Sequence, residues 1–188
     1  KAQGHEVYFL KGDMSEESFC HELCQFSAEQ MGTIDLLVNN AFSFIAEGVN
    51  ATRDQWLRSM VVGPLAFATM IQTCHKYMKD SGGSIVNLSS ISAHIAQPNR
   101  WTYNAAKGAV NQLTKCSALD LAPDNIRVNS VSPGWIWTNA VDQAADFDRE
   151  KYDPIWGKYH MLRRCGHAEE VASAIMFLLS DEASFITG

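Results

Sequence analysis

The sequence predicts an α/β fold, in which short apolar strands alternate with longer helices. Three apolar runs have the length of buried strands, at 34–38, 83–90 and 126–131. Between them lie two long segments, 52–79 and 101–121, whose apolar residues recur at mostly helical spacing. Strands that alternate with helices in this way are typical of α/β proteins.

The two ends of the chain add further predicted elements. A β-branched and aromatic run at 6–10 predicts a strand that leads to a loop at Asp13. Ser15 is in the N-cap position before two acidic residues, which predicts a helix that runs to about Met31. An amphipathic segment at 167–179 predicts the last helix.

Length, charge and hydropathy limit the class of protein. The chain has 188 residues, 46% of them hydrophobic, and we expect one domain over 1–188. A net charge of −6 gives no general attraction to nucleic acid or acidic membranes. The apolar runs are far shorter than the roughly 20 residues of a bilayer span, and residues 1–6 contain no signal-peptide segment. We therefore predict a cytoplasmic protein without nucleic-acid or membrane partners.

The cysteines do not predict a disulfide framework or a metal site. They are odd in number and scattered, at Cys20, Cys24, Cys74, Cys116 and Cys165. Such a pattern in a chain of this size indicates reduced thiols. Cys20 and Cys24 share one helix face, but no second pair of ligands follows at zinc-like spacing. We expect no metal.

A tyrosine and a lysine stand four residues apart at the start of an Ala-rich helical segment. Tyr103 and Lys107 would therefore share one helix face. A nearby ammonium favours phenolate over phenol, and a shift of roughly 3 pKa units from about 10 would make Tyr103 a base near neutrality. The pair alone is a weak signal, because two surface residues that happen to lie on one helix face explain such a spacing more often.

Ser90 and three further motifs make the pattern specific. Ser90 stands at the end of the predicted strand 83–90, thirteen residues before Tyr103. In the same order along the chain stand LVNNA at 37–41, IRVNSVSPG at 126–134 and SDEASFITG at 180–188. Together with Ser90, Tyr103 and Lys107, these motifs resemble the short-chain dehydrogenase/reductase family over the whole chain.

The resemblance implies a Rossmann-like, doubly wound parallel sheet and a function. The implied function is hydride transfer between NAD or NADP and a carbonyl compound or secondary alcohol. Tyr103 would exchange the hydroxyl proton, Lys107 would lower the pKa of that tyrosine, and Ser90 would hydrogen-bond the reacting oxygen. The alternative is a catalytically inactive dinucleotide-binding regulator or scaffold with the same fold.

The resemblance also implies a set of cofactor contacts. Tyr103 and Lys107 would hold the nicotinamide ribose, and the remaining contacts would come from Asp13, Met14, Asn40, Ala41, Pro133, Gly134, Ile136 and Thr138. Asp13 and the paired asparagines are also ordinary turn residues, and that reading stays open. The aromatic region 135–166 corresponds to the family's variable substrate lid, so we expect a substrate with an apolar or ring face.

Two positions depart from the family pattern. Phe42 stands where the family usually has glycine, and Gly63, counted from Trp56, stands where it commonly has a catalytic asparagine that holds a proton-relay water. Gly63 is followed by Pro64, which should bend the helix. Three alternatives stay open. A backbone carbonyl freed by Pro64 holds the relay water in place of the asparagine, another group takes over the relay, or activity is lost.

The segments that the chain shares with the family start after the Gly-rich turn and stop before the last strand. We therefore expect the fold to be incomplete, as in an internal segment of a longer protein, and the choice between NAD and NADP stays open. The long helices at 52–79 and 101–121 have more apolar positions than one sheet face can cover. We expect them to pair between subunits in a homodimer or homotetramer.

Overall fold

The computed structural model describes residues 6–188, so residues 1–5 of the predicted domain lie outside the described part. The helices are α1 (Glu17–Met31), α2 (Arg53–Met60), α3 (Ala66–Met78), α4 (Trp101–Leu121), α5 (Asn139–Ala144), α6 (Arg149–Gly157) and α7 (Ala168–Leu179). The strands are β1 (Leu36–Asn39), β2 (Gly83–Leu88), β3 (Ile126–Val131), β4 (Ile136–Trp137) and β5 (Gly166–His167). The predicted alternation of strands and helices is confirmed.

The main sheet has three parallel strands in the order β1-β2-β3. Leu37 lies beside Ile85, and Ile85 lies beside Val128. Parallel neighbours place all three carboxyl ends at the same edge of the sheet, so the residues that follow the strands meet there. A second, two-stranded parallel sheet pairs β4 with β5.

The main core lies on one face of this sheet. Successive side chains of a strand point to opposite faces, and Ile85 of β2 points into the core. There it joins an apolar cluster contributed by α1, α3 and α4 and by all three strands. Two of its residues from α1, Cys20 and Cys24, are buried free thiols, as the sequence predicted for the cysteines.

The other face of the sheet carries α7. Ser84, the neighbour of Ile85 in β2, donates a hydrogen bond to the carbonyl of Leu178 at the end of α7. Arg127 of β3 donates to the same carbonyl. Helices therefore lie on both faces of the sheet, whereas Leu36 and Val38 of β1 have exposed side chains on this second face.

The chain bends between α2 and α3, where the sequence predicted a bend at Gly63 and Pro64. Val62 has ψ of 35° and Gly63 has φ of −148° and ψ of −112°, and neither residue is helical. The turned carbonyl of Val62 accepts a hydrogen bond from the Ser43 N–H at 3.3 Å. Pro64 has no N–H of its own to donate, which is the physical reason for the break.

Two local predictions near the start of the chain were wrong. Residues 6–10 form no strand, because a strand needs a hydrogen-bonded neighbour and these residues have none within 6–188. The Phe9 side chain is 83% exposed. Helix α1 begins after Glu16, not Ser15, because the Glu16 N–H closes a turn onto the Asp13 carbonyl at 3.0 Å and the Glu16 carbonyl accepts the first helical bond, from the Cys20 N–H at 3.2 Å.

Candidate active site

The carboxyl ends of β1, β2 and β3 bring the predicted site residues to one edge of the sheet. Asn39, the last residue of β1, is buried and donates to the side chain of Asn87 at 2.9 Å. Asn87 in turn donates to Thr114 of α4 at 3.0 Å. This network fixes β1 and β2 against α4, and it leaves Asn40 and Ala41 exposed just past the strand.

Ser90 and Tyr103 are adjacent at this edge. Ser90 is buried in an extended conformation, and its hydroxyl accepts a hydrogen bond from the Ser92 N–H at 3.2 Å. Burial raises the pKa of Tyr103 above its ordinary value, while the Ser90 hydroxyl and the charge of Arg100 oppose that rise. The expected lowering of the Tyr103 pKa is thus absent from this structure, since burial outweighs the groups that favour phenolate.

Lys107 lies one turn further along α4 and is only 4% exposed. Its ammonium donates to the carbonyl of Leu88, the last residue of β2, at 2.7 Å. Burial lowers the pKa of Lys107 to about 8. Its Nζ is 5.8 Å from the centre of the Tyr103 ring, and the bond to Leu88 directs it toward the sheet.

The two departures from the family pattern are in contact with each other. A Cβ added at Gly63 would lie 2.6 Å from the Phe42 ring, far inside van der Waals contact. That ring packs edge-on against Tyr103, with 5.5 Å between centroids, and the Lys107 Nζ lies 3.8 Å from its centre. The absence of a side chain at 63 therefore makes room for the aromatic ring at 42. Sequence reasoning treated the two positions separately.

Arg100 was not singled out from the sequence, yet it stands three residues before Tyr103. Its guanidinium carbon is 5.6 Å from the centre of the Phe44 ring and 5.8 Å from that of Trp135. Phe44 packs against Tyr103 with 4.9 Å between ring centres. Arg100 therefore borders the side of Tyr103 that Phe44 and Trp135 enclose.

The cofactor residues predicted near β1 lie around one cavity of about 240 Å³, which Met14, Asn40 and Ala41 border. Asp13 does not line it. The Asp13 carboxylate instead accepts hydrogen bonds from the Ser15 N–H and from Arg58 at 3.2 Å, and these bonds lower the pKa of Asp13. The alternative reading of Asp13 as a turn residue therefore has direct support in these bonds.

The predicted residues after β3 occupy a packed turn. A Cβ added at Gly134 would lie 2.4 Å from the His160 ring, and the Nε2 of that histidine accepts the Trp135 N–H at 2.9 Å. Ile136 belongs to β4, and the Thr138 hydroxyl caps α5. Pro133 contributes its carbonyl to the Ile91 N–H at 3.1 Å. This turn is separate from the cavity beside β1.

Two searches over residues 6–188 were negative. No group of three or more His, Cys, Asp or Glu side chains in that range is arranged to hold a metal ion. No helix in the described part of the chain has the length and apolar character to cross a membrane.

Two curated proteins show how similar the sequence is to known dehydrogenases. The trans-4-hydroxycyclohexanecarboxylate dehydrogenase of Sinomonas cyclohexanicum is 40% identical over 163 residues, which are 86% of this chain and 60% of that protein. The cyclopentanol dehydrogenase of Comamonas testosteroni is 35% identical over 196 residues, which cover 100% of this chain and 75% of that protein. The chain thus spans less than two thirds of the first relative.

Solved structures share the fold. The ligand-free aldohexose dehydrogenase of Thermoplasma acidophilum superposes with a TM-score of 0.89 at 34% identity, over 98% of this chain and 76% of that one. ElxO with NADP bound superposes with a TM-score of 0.89 at 28% identity, over 96% of this chain and 73% of that one. The NAD⁺-bound xylitol dehydrogenase superposes with a TM-score of 0.85 at 27% identity, over 93% of this chain and 73% of that one. The predicted Rossmann-like α/β fold is confirmed.

A family profile agrees with these likenesses. The profile described as enoyl-(acyl carrier protein) reductase matches residues 1–188, the entire chain. The relatives at 35–40% identity are dehydrogenases, and the same fold recurs in a solved aldohexose dehydrogenase. The resemblance that the motifs indicated is therefore confirmed, and the chain belongs to the short-chain dehydrogenase/reductase family of oxidoreductases.

Proposed function

We propose that the whole protein transfers a hydride between a nicotinamide cofactor and a secondary alcohol or carbonyl compound. The main observation behind this proposal is that Ser90, Tyr103 and Lys107 lie together at the strand ends of the parallel sheet. A hydroxyl and a phenol interact there, and a buried ammonium lies one helical turn away. Such a set provides a hydrogen-bond donor, a proton-exchanging group and a fixed positive charge at one place.

The residues past β1 fit a dinucleotide. The cavity that Met14, Asn40 and Ala41 border runs along β1, and its end at Asn40 and Ala41 is the carboxyl end of a parallel strand, where α/β sheets bind such ligands. Ala41 has a small side chain, so a ribose can approach the backbone. We assign NAD or NADP, because related structures contain either one. When bound, the cofactor supplies or accepts the hydride.

The chain's own residues handle the proton. Tyr103 gives a proton to the carbonyl oxygen in reduction and takes it back in oxidation, and Ser90 hydrogen-bonds the same oxygen. Lys107 stabilises the phenolate and binds the nicotinamide ribose. Predicted cofactor contacts at Asp13, Pro133, Gly134, Ile136 and Thr138 remain predictions, and Asp13 would first have to share its bonds with Arg58.

We propose a cyclic alcohol or ketone as the substrate class. Phe44 and Trp135 place aromatic faces beside Tyr103 and Arg100, and such faces pack well against an apolar ring. Two of the similar proteins are named for trans-4-hydroxycyclohexanecarboxylate and for cyclopentanol. The names of those relatives agree with a ring substrate.

The rival function is a dinucleotide-binding protein that has lost turnover. Phe42 and Gly63 favour it, because the ring of Phe42 fills the space beside Gly63 and the Val62 carbonyl at the bend is already bonded to the Ser43 N–H. A water held there, as in the expected relay, would have to compete with both groups. The rival predicts cofactor binding without hydride transfer.

Replacing Tyr103 with phenylalanine tests the role of the phenol. In the whole protein with NAD or NADP and a panel of cyclic alcohols and ketones, Tyr103→Phe should lower turnover by at least about 100-fold, because positioned acid–base groups contribute that much. The variant should still bind the cofactor, weakened by at most about tenfold through the loss of one hydrogen bond to the ribose. Initial rates of nicotinamide absorbance and a cofactor titration measure the two quantities.

Tyr159→Phe is the matched control, since Tyr159 is exposed and should keep full activity. Full turnover in Tyr103→Phe would contradict the role of the phenol. Cofactor binding by the unaltered protein, with no turnover of any substrate in the panel, would establish the rival.

The burial of Lys107 predicts a specific pH dependence of stability. Its folded pKa of about 8 lies below the unfolded value of 10.5, so the unfolded chain binds more protons between these values. Stability therefore rises with pH in this window, whereas below it the destabilising contribution of the buried ammonium is fully present and no longer changes with pH. Relative to Lys107→Met, the wild-type free energy of unfolding should rise by about 3 kcal/mol from pH 8 to 10.5.

Denaturant unfolding of both proteins at several pH values gives this difference. Lys79→Met is the control, because Lys79 is exposed and its difference from wild type should not change with pH. A flat difference for Lys107→Met would show that its ammonium is not buried.

The contact between Phe42 and Gly63 predicts that substitutions at the two positions are coupled. Gly63→Ala should lower the free energy of unfolding by about 1–3 kcal/mol, because the new methyl group displaces the ring. In a Phe42→Ala background, the same change should cost at least about 1 kcal/mol less. Thermal and denaturant unfolding of the four proteins measures the coupling.

Gly108→Ala serves as the control, since its Cβ would meet no atom within 4 Å on α4 and should be neutral or stabilising. Equal costs of Gly63→Ala in both backgrounds would show that the ring is not what the methyl group meets.

We also propose that the whole protein self-associates through its long helices. Leu119 of α4 is exposed, as is Leu65 in the bend before α3. The protein should sediment as a dimer or tetramer at micromolar concentration, and Leu119→Asp should weaken this assembly because it places a charge in the contact. Met161→Asp, at a still more exposed site in the region after α6, should leave the assembly unchanged. A monomeric wild type would contradict the proposal.

A further inference from the structure

Arg100 differs from most of the other arginines in having no hydrogen-bond acceptor. Elsewhere the guanidinium groups donate to carboxylates or carbonyls, in Arg58, Arg127, Arg149, Arg163 and Arg164. Within residues 6–188, no acceptor lies in hydrogen-bond range of the Arg100 side chain, and no carboxylate lies within ion-pair distance. Its donors remain available to a ligand.

The position of Arg100 holds these donors beside the candidate active site. Its guanidinium lies over the rings of Phe44 and Trp135 at 5.6 and 5.8 Å. The guanidinium carries five N–H donors, and these ring contacts supply no conventional hydrogen-bond acceptor for them. The side chain is half-buried, so the two rings restrict its rotamers before any ligand arrives.

The electrostatics identify the ligand chemistry. The positive charge of Arg100 is close enough to the Tyr103 phenol to oppose the rise of its pKa. A planar fork of donors matches a carboxylate in two parallel hydrogen bonds, which a neutral group of the same size does not form as well. The aromatic rings on either side suit the apolar body that carries such a group.

We propose that Arg100 binds a carboxylate carried by the substrate, so that the site selects a cyclic hydroxy acid or oxo acid over its neutral counterpart. This proposal rests on the proposed function for the reacting part of the site. Arg100 would then hold the charged end of the ring while Tyr103 and Ser90 contact the oxygen at the other end.

The test compares an acid with its ester in the whole protein. 4-Hydroxycyclohexanecarboxylate and its methyl ester share a ring and a reacting hydroxyl but differ in charge. Wild type should prefer the acid, and Arg100→Met should lower kcat/KM for the acid by about 10- to 100-fold more than for the ester, as expected for a charged hydrogen-bonded pair. The preference of Arg100→Lys for the acid should lie between those of wild type and Arg100→Met, because lysine keeps the charge without the planar fork.

Arg53→Gln is the control for net charge, because Arg53 is exposed at the start of α2 and should leave the acid-to-ester ratio unchanged. If Arg100 acts only by changing the pKa of Tyr103, Arg100→Met should lower kcat/KM by the same factor for the acid and for the ester. An unchanged ratio therefore overturns the proposal, as does a wild type that prefers the ester.

A binding measurement separates this proposal from the proposed function. Cyclohexanecarboxylate has no hydroxyl to oxidise, so saturation-transfer NMR reports its binding without turnover. We expect binding to wild type and to Arg53→Gln that weakens with salt and is lost in Arg100→Met. Binding with this pattern but no turnover of any alcohol would refute hydride transfer and retain the carboxylate site, whereas absence of binding to wild type would refute the site.

Discussion

The burial of the Lys107 ammonium is the constraint on which the candidate site depends. A charge that is removed from water needs strong partners, and here the Leu88 carbonyl at 2.7 Å and the face of Phe42 at 3.8 Å provide them. These two contacts do not compensate fully for the loss of hydration, because the pKa of Lys107 still falls to about 8. The bond to Leu88 also ties α4 to the end of β2. That tie sets the position of Tyr103 one turn earlier on the same helix.

Phe42 links this constraint to the bend between α2 and α3. Its ring reaches Lys107 only because Gly63 leaves space, and Gly63 lies where the helix is broken before Pro64. The same bend turns the Val62 carbonyl toward Ser43, the residue next to Phe42, and this bond holds the segment after β1 in place. The departures at 42 and 63 are therefore one rearrangement of backbone and side chain.

The sequence predicted the features that depend on local patterns. The strands β1, β2 and β3, the exact span of α4 and the bend at Pro64 follow from apolar periodicity and from the chemistry of proline. Residues 6–10 have a strand-like pattern as well, but pairing depends on a neighbour that a local pattern does not contain. The contact between Phe42 and Gly63 was missed for the same reason, since the two residues meet only in the folded chain.

The protonation of Tyr103 shows best why pattern alone was insufficient. The spacing to Lys107 predicted a lowered pKa, yet burial raises it, and the cation that opposes burial is Arg100. On our proposal, a carboxylate bound to Arg100 would cancel much of that opposing charge. The phenol would then hold its proton more firmly, so it would stay protonated near neutral pH but would be a weaker acid toward a carbonyl oxygen. Formation of the phenolate during oxidation of a hydroxy acid would then depend on the charge of Lys107, whose Nζ lies 5.8 Å from the centre of the Tyr103 ring.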